Sequence, residues 1–191
     1  MIREGLVTMA EKGELLLEKI KADKRVNQAD LFDLGILDFL DEVRLMCEQN
    51  TCGRYNKTWI CPPVCGTVAE LESVCGNYSA GILVNCVKHL ADSFDWEGMQ
   101  DGSRQLCELL LDVKSHADEI GMDDYRIFGG GGCRGCEDCS YPDVPCHYPD
   151  MRFTPIEACG VNVMQLAKDA GFKYINGQNT VTFFGMILFN D

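Results

Sequence analysis

The stretch YRIFGGGGCRGCEDCSYPDVPC, Tyr125 to Cys146, decides how this chain is read. Its first four residues, Tyr125–Phe128, read as a short strand. The strand feeds Gly129, Gly130, Gly131 and Gly132, and these open onto Cys133, Cys136, Cys139 and Cys146, a C-x2-C-x2-C-x6-C run. Three thiols fall three residues apart on one short loop, with a fourth close behind. A loop of that spacing wraps three corners of a cubane iron–sulfur cluster, and the more distant thiol takes the last iron. Zinc asks for two separated C-x2-C pairs that meet across a tetrahedron, whereas here Cys136 would belong to both pairs. The four glycines, and Gly135 inside the run, let backbone N–H groups approach a cluster and adopt positive φ. They lack the framing of a phosphate loop, so a phosphate cradle is a weak reading.

A second group lies upstream. Cys47, Cys52, Cys61 and Cys65 give C-x4-C-x8-C-x3-C within CEQNTCGRYNKTWICPPVCG. The spacing is looser, but Pro62 and Pro63 stiffen the loop and push Cys61 towards an extended conformation. So rigid and irregular a loop calls for something to organise it. Two four-cysteine groups predict two metal centres, one per group, with exchange of a ligand between them open. The remaining cysteines read differently. Cys86 sits on a strand, Cys107 and Cys75 on helices, and all three are expected in the core. Cys159 follows the downstream run closely enough to approach a cluster.

Twelve cysteines in 191 residues also suit a disulfide-linked secreted protein. The amino terminus, MIREGLVTMAEKGELLLEKIKAD, argues against that, since it has no apolar run of signal-peptide type. The chain is long enough to bury a core without staples. The expectation is a cytoplasmic protein in a reducing compartment, where clustered cysteines mean metal. No apolar stretch is long enough to span a membrane.

The length fits a single metal-binding domain over residues 1–191, with cysteine loops at about 47–66 and 129–150. Helices are expected near residues 4–22, over Asp38–Glu48, from the capping box Thr67–Glu70 to about Tyr78, over Trp96–Ile120, and over about Val163–Ala170 with Gly171 as terminator. Thr154-Pro-Ile-Glu157 reads as a further capping box with Pro155 at the first helical position. Strands are expected at Ala29–Leu34, Gly81–Val87 and Tyr125–Phe128. Val181–Phe189, apolar on both faces, reads as a central buried strand. The pattern gives an α/β (α+β) fold, a small central sheet covered by helices, with both cysteine loops carrying metal at one end.

The formal charge is -13 with the thiols neutral, and each four-thiolate cubane would add roughly two more negative charges. Such a chain repels nucleic acid and steers onto a basic redox partner protein. Asp92, Ser93, Asp95 and Glu97 precede a helix, where capping and first-turn acid account for them. A functional reading makes Asp95 and Glu97 proton donors in a site wall. His147 follows Cys146 and suits a hydrogen bond to a cluster sulfur. Trp59 and Tyr55 are expected to shield the upstream centre from water.

Together, C-x4-CGRYNKTWICPP (Cys47–Pro63), DSFDWEGM (Asp92–Met99), GGCRGCEDCSYPDVPCHYP (Gly131–Pro149), IEACGVNV (Ile156–Val163) and NTVTFFG (Asn179–Gly185) resemble the cysteine-rich predicted metal-binding family (domain of unknown function 2284) of anaerobic bacteria and archaea. The resemblance runs from about residue 40 to the end. It implies metal, its anaerobic hosts imply iron–sulfur, and it implies no reaction. Cys47, Cys52, Cys61, Cys133, Cys136, Cys139 and Cys146 match cysteines of the family pattern. Cys65 and Cys159 depart from it, so Cys65 is an optional fourth ligand. The sequence therefore predicts two [4Fe–4S] clusters serving electron transfer. The alternatives are a small iron–sulfur enzyme with one open iron, or a zinc-stabilised scaffold or sensor.

Overall fold

The computed structural model describes residues 8–190. In chain order these form α1 (Met9–Lys21), β1 (Gln28–Phe32), α2 (Asp41–Glu48), α3 (Val68–Cys75), β2 (Ala80–His89), α4 (Trp96–Glu119), β3 (Tyr125–Gly129), β4 (Thr154–Pro155), α5 (Val163–Asp169) and β5 (Thr180–Phe189). The strands make one sheet in the order β1-β2-β5-β3-β4. Every neighbouring pair is antiparallel except β3 with β4.

β5 is central, as its two apolar faces predict. Ala80–His89 pairs along its whole length on one side, and Tyr125–Phe128 pairs with Phe189–Met186 on the other. Successive residues of a strand point to opposite faces. Ile187 and Phe189 accordingly enter one core, and Met186 and Leu188 the other. β2 does the same, with Ile82 and Val84 on one side and Leu83 on the other. The first core is closed by α1 through Leu16 and Ile20, and by α4 through Leu106, Leu109, Leu110 and Val113, a helical stripe at three- and four-residue spacing. The second is closed by α3 through Leu71 and Cys75, and by α5 through Leu166 and Ala167. Each fully buried Leu, Ile or Phe contributes roughly 1.5–3 kcal/mol, so two apolar layers hold the sheet from both sides.

Several local readings change. The helix expected over Asp38–Glu48 starts at Asp41, because Phe39 pairs with Val161 in an isolated bridge. The described part of α1 is capped at Thr8, which forms a capping box with Glu11, while residues 4–7 of the expected helix lie outside the described residues. β1 ends at Phe32, and Asp33 caps a 3-10 turn over Leu34–Ile36. The capping box expected at Thr154–Glu157 does not form. Thr154–Pro155 adds to the sheet edge beside Phe128–Gly129, and the Ile156 N–H donates to Gly129 O at 3.0 Å. Pairing with the open edge of β3 supplies those backbone bonds, and Glu157 falls in a 3-10 turn instead. The box at Thr67 does form, with Glu70 reaching back to the Thr67 N–H at 2.7 Å.

Both cysteine loops come to the end of the sheet where β3 finishes and β5 begins. The downstream loop leaves β3 directly. The upstream loop leaves α2, whose start is pinned by the Leu40 N–H donating to Gly160 O at 2.8 Å.

Candidate metal centre

The thiols fall into two neighbourhoods. In the downstream one, partial desolvation and then the Cys133, Cys139 and Cys146 thiols push the Cys136 thiol above its ordinary value. In the upstream one, burial pushes Cys61 up to about 11, the Thr58 hydroxyl opposes this, and the Cys52 and Cys65 thiols reinforce it. Burial also raises Cys47, against Arg44, with Glu157, Cys52 and Cys65 adding to the rise. Cys65 is raised by burial and again opposed by Arg44. All twelve cysteines are free thiols. Raised values describe the metal-free chain, and binding metal would release these protons. Among the described residues, no three His, Cys, Asp or Glu side chains stand close enough to grip a single metal ion.

The two loops are braced together by Trp59. Its Nε1–H donates to Val144 O at 3.2 Å, and its ring meets Tyr141 edge-on at 5.0 Å. Arg152 lies over the indole at 5.4 Å and donates to Trp59 O at 3.2 Å, while the Tyr141 hydroxyl donates to Asn56 Oδ1 at 2.9 Å. Trp59 was expected to shield the upstream centre. Its contacts join the upstream loop to the downstream loop. The upstream loop has a second anchor in Arg44, which donates to Ala158 O and, at 2.6 Å, to Gly66 O.

Between the loops lies a cavity of about 630 Å³. Its lining takes in all four downstream cysteines and Cys52, which also belongs to the upstream neighbourhood. The floor comes from the start of α4 and of β5, through Met99, Ser103 and Phe183. The glycine run explains how these surfaces come so close. Gly131 and Gly132 have φ of +73° and +83°. A Cβ on Gly131 would sit 2.6 Å from Ser103 Oγ, and one on Gly132 would sit 2.9 Å from Arg54 Nε. Left-handed backbone and missing space both demand glycine there. The Gly135 N–H donates to Cys133 Sγ at 3.5 Å.

Other candidates fall as follows. Asp95 is the N-cap of α4. Its carboxylate accepts from Gly98 N at 2.8 Å and Ala91 N at 2.9 Å, and these two bonds hold its pKa below the usual range. A carboxylate kept ionised in this way is a poor proton donor at neutral pH. Glu97 occupies the first turn of α4. The segment does wall the cavity, but through Trp96, Met99 and Gln100. His147 is exposed. Cys75, Cys86 and Cys107 are buried, as expected of core residues. Cys159 is wholly buried and donates to Pro155 O at 3.6 Å, lying towards Cys75 and Cys65 rather than the run it follows.

One buried group tests whether iron–sulfur chemistry fits. Thr58 Oγ1 is buried without a hydrogen-bond partner, yet lies near enough to Cys61 to favour its thiolate. An orphaned buried hydroxyl is costly, and a thiolate or cluster sulfide beside Cys61 would satisfy it. The donor set of eight thiols, with this hydroxyl and the Gly135 N–H turned to sulfur, fits such a group.

Residues 31–189 match the family model described as predicted metal-binding protein (DUF2284). The chain belongs to this family. No curated protein and no solved structure matches it. The family is one predicted to bind metal, and the many cysteines of this chain accord with that. Among the described residues no helix is long and apolar enough to cross a membrane.

Proposed function

We propose that the chain is a cytoplasmic iron–sulfur protein with two [4Fe–4S] clusters, acting in electron transfer to a partner protein. The observation that carries this is that two four-cysteine loops border one cavity, the upstream loop through Cys52 and the downstream loop through all four of its thiols. Cys47, Cys52, Cys61 and Cys65 would hold one cluster, and Cys133, Cys136, Cys139 and Cys146 the other. Such groups supply one-electron chemistry when bound. The chain's own residues do the rest. Thr58 and the Gly135 N–H turn donors towards sulfur, which stabilises the more negative state. Trp59 holds the loops together. The acidic surface steers a basic partner, so association should slow steeply as salt screens charges beyond about 10 Å at 0.1 M.

Anaerobic purification followed by metal and sulfide analysis tests the reading. The expected result is about eight irons and eight acid-labile sulfides per chain, one cubane for each four-cysteine group. One or two zinc ions without sulfide would overturn it and leave the scaffold or sensor.

One observation favours a second reading, that of a small iron–sulfur enzyme. A pure carrier has no need of a cavity, and here about 630 Å³ opens directly onto the downstream thiols. That volume lies within the range of small-molecule sites.

A further inference from the structure

We infer that the cavity between the cysteine loops binds a small organic oxyanion, an apolar body carrying a carboxylate or phosphate head. The inference deepens the enzyme reading by naming a ligand class, and it requires no particular metal.

The first support is an inversion of charge. The chain has 17 Lys and Arg against 30 Asp and Glu. The cavity wall nevertheless carries Arg54, Lys57, Arg134 and Arg152 against only Glu137 and Asp138. The second is that these cations have no carboxylate partner among the described residues. Lys19, Lys21, Arg25, Lys88, Arg104 and Lys114 are all ion-paired with carboxylates. Among the described residues none of the four cavity cations is. Cations elsewhere, Lys168 and Lys173 among them, also lack an ion pair among the described residues; what sets these four apart is that they converge on one concave wall, where neither Glu137 nor Asp138 pairs with any of them.

The third support is that the wall is built. Arg134 Nε donates to Ser103 Oγ at 2.9 Å and its Nη2 to Gly131 O at 3.1 Å, which fixes the guanidinium and leaves Nη1 free. It is held there although desolvation, and then Arg54 and Arg104, destabilise its charge. Gly132 clears the space that Arg54 occupies. A fixed guanidinium beside a second one is the geometry that grips a carboxylate or phosphate in two-pronged fashion.

The fourth support concerns the body of the ligand. Both tryptophans of the chain line the cavity, with Met99 and Phe183. Trp96 is 68 % exposed, an indole left open at the mouth. An inorganic anion has no use for such walls, whereas a ring or short hydrocarbon does. A cluster on the downstream thiols would fill part of the space, so the ligand is small.

The competing account is that the cations only offset thiolate charge. Titration calorimetry on the anaerobically purified full chain separates the two, with benzoate, phenyl phosphate, benzamide and inorganic phosphate as probes. Benzoate or phenyl phosphate should bind at least about tenfold tighter than neutral benzamide, a difference of about 1.4 kcal/mol. Inorganic phosphate should bind more weakly than phenyl phosphate. Lys57→Gln, at an exposed side chain without a hydrogen bond among the described residues, should weaken the oxyanion about tenfold at unchanged metal content. Arg54→Gln should do likewise, and Lys168→Gln, on α5, should change nothing. Benzamide binding as tightly as benzoate, or full affinity in both cavity variants, would overturn the site. Inorganic phosphate equal to phenyl phosphate would overturn its organic character. Metal analysis of the same sample separates this failure from the other. Oxyanion binding without iron would sink the electron carrier alone, and iron without oxyanion binding would sink the site alone.

Discussion

The two cysteine loops carry the same number of thiols and are built for different surroundings. Upstream, Cys61 is 7 % exposed, Cys47 and Cys65 are half-buried, and Arg44 ties the loop to the segment before α5, with only Cys52 exposed and turned to the cavity. Downstream, all four thiols are half-buried and all face the cavity. The upstream loop is therefore part of the framework, and the downstream loop is the face turned to whatever arrives. Losing Cys61 should damage the fold as well as the metal. Losing a thiol downstream should cost metal alone.

The largest effect tests that contrast directly. Cys136→Ser should remove about half the iron and leave the thermal transition of the rest of the domain nearly unmoved, since substitutions outside the core stay within about 0.5 kcal/mol. Cys61→Ser should also lose about half the iron, and in addition lower stability by about 1–3 kcal/mol, because a more polar group then occupies a site only 7 % exposed. Iron analysis and calorimetric unfolding on each variant check both claims. Equal destabilisation would erase the distinction between the loops.

Trp59 is where the loops meet, so its removal should loosen both. Trp59→Ala deletes the indole bond to Val144, the edge contact with Tyr141 and the Arg152 stack. The cost should be about 2 kcal/mol, below that of a fully buried aromatic because the ring is only half-buried. Hydrogen exchange should quicken at residues 138–146 as well as at 54–62. Protection lost in only one loop would show that Trp59 belongs to that loop alone.

Much of this molecule was legible in the sequence, for identifiable reasons. Long periodic elements such as α4 and β5 declare themselves through spacing, and Thr67–Glu70 makes its cap from residues three apart. Thr154–Glu157 carries the same local signal and fails because the edge of β3 offers a better partner, a non-local fact. The cysteine groups were legible because ligand spacing is local. The cavity was not, because it is made where α4, β5 and two loops converge. Its cations did leave a trace. Arg54 and Lys57 in CGRYNKTW, and Arg134 inside C-R-G-C, are basic residues set among ligands in an acidic chain.

Cys65 bears on what the upstream loop is for. If it closes the fourth corner, Cys65→Ala should lose or damage the upstream centre and lower electron transfer. In the wild type, the paramagnetic resonance signal of the reduced protein should then ignore added small anions or thiols, because no iron is open. Full iron in Cys65→Ala, or a ligand-dependent signal in wild type, would hand the upstream loop the open site and move the chemistry away from the cavity.

The smallest effect is expected at Cys107, and it marks the inner limit of the downstream loop. Sequence alone makes it a packing residue on α4, and it is buried at 6 % exposure. The fold brings it against Cys133 across a small hollow that Gly132 also lines, so it is positioned to compete as a ligand of the downstream centre. Two features argue that it does not. Cys107 is packed into the first core on the same face of α4 as Leu106 and Leu110. The downstream loop already supplies four thiols, and Cys107 sits on a helix that cannot move to follow a cluster. Cys107→Ser should therefore keep all of its iron, with a stability change no larger than that of Cys61→Ser. Loss of iron from Cys107→Ser together with its retention in Cys136→Ser would redraw the downstream centre around α4, and the loop would then be a cover for a metal held by the framework.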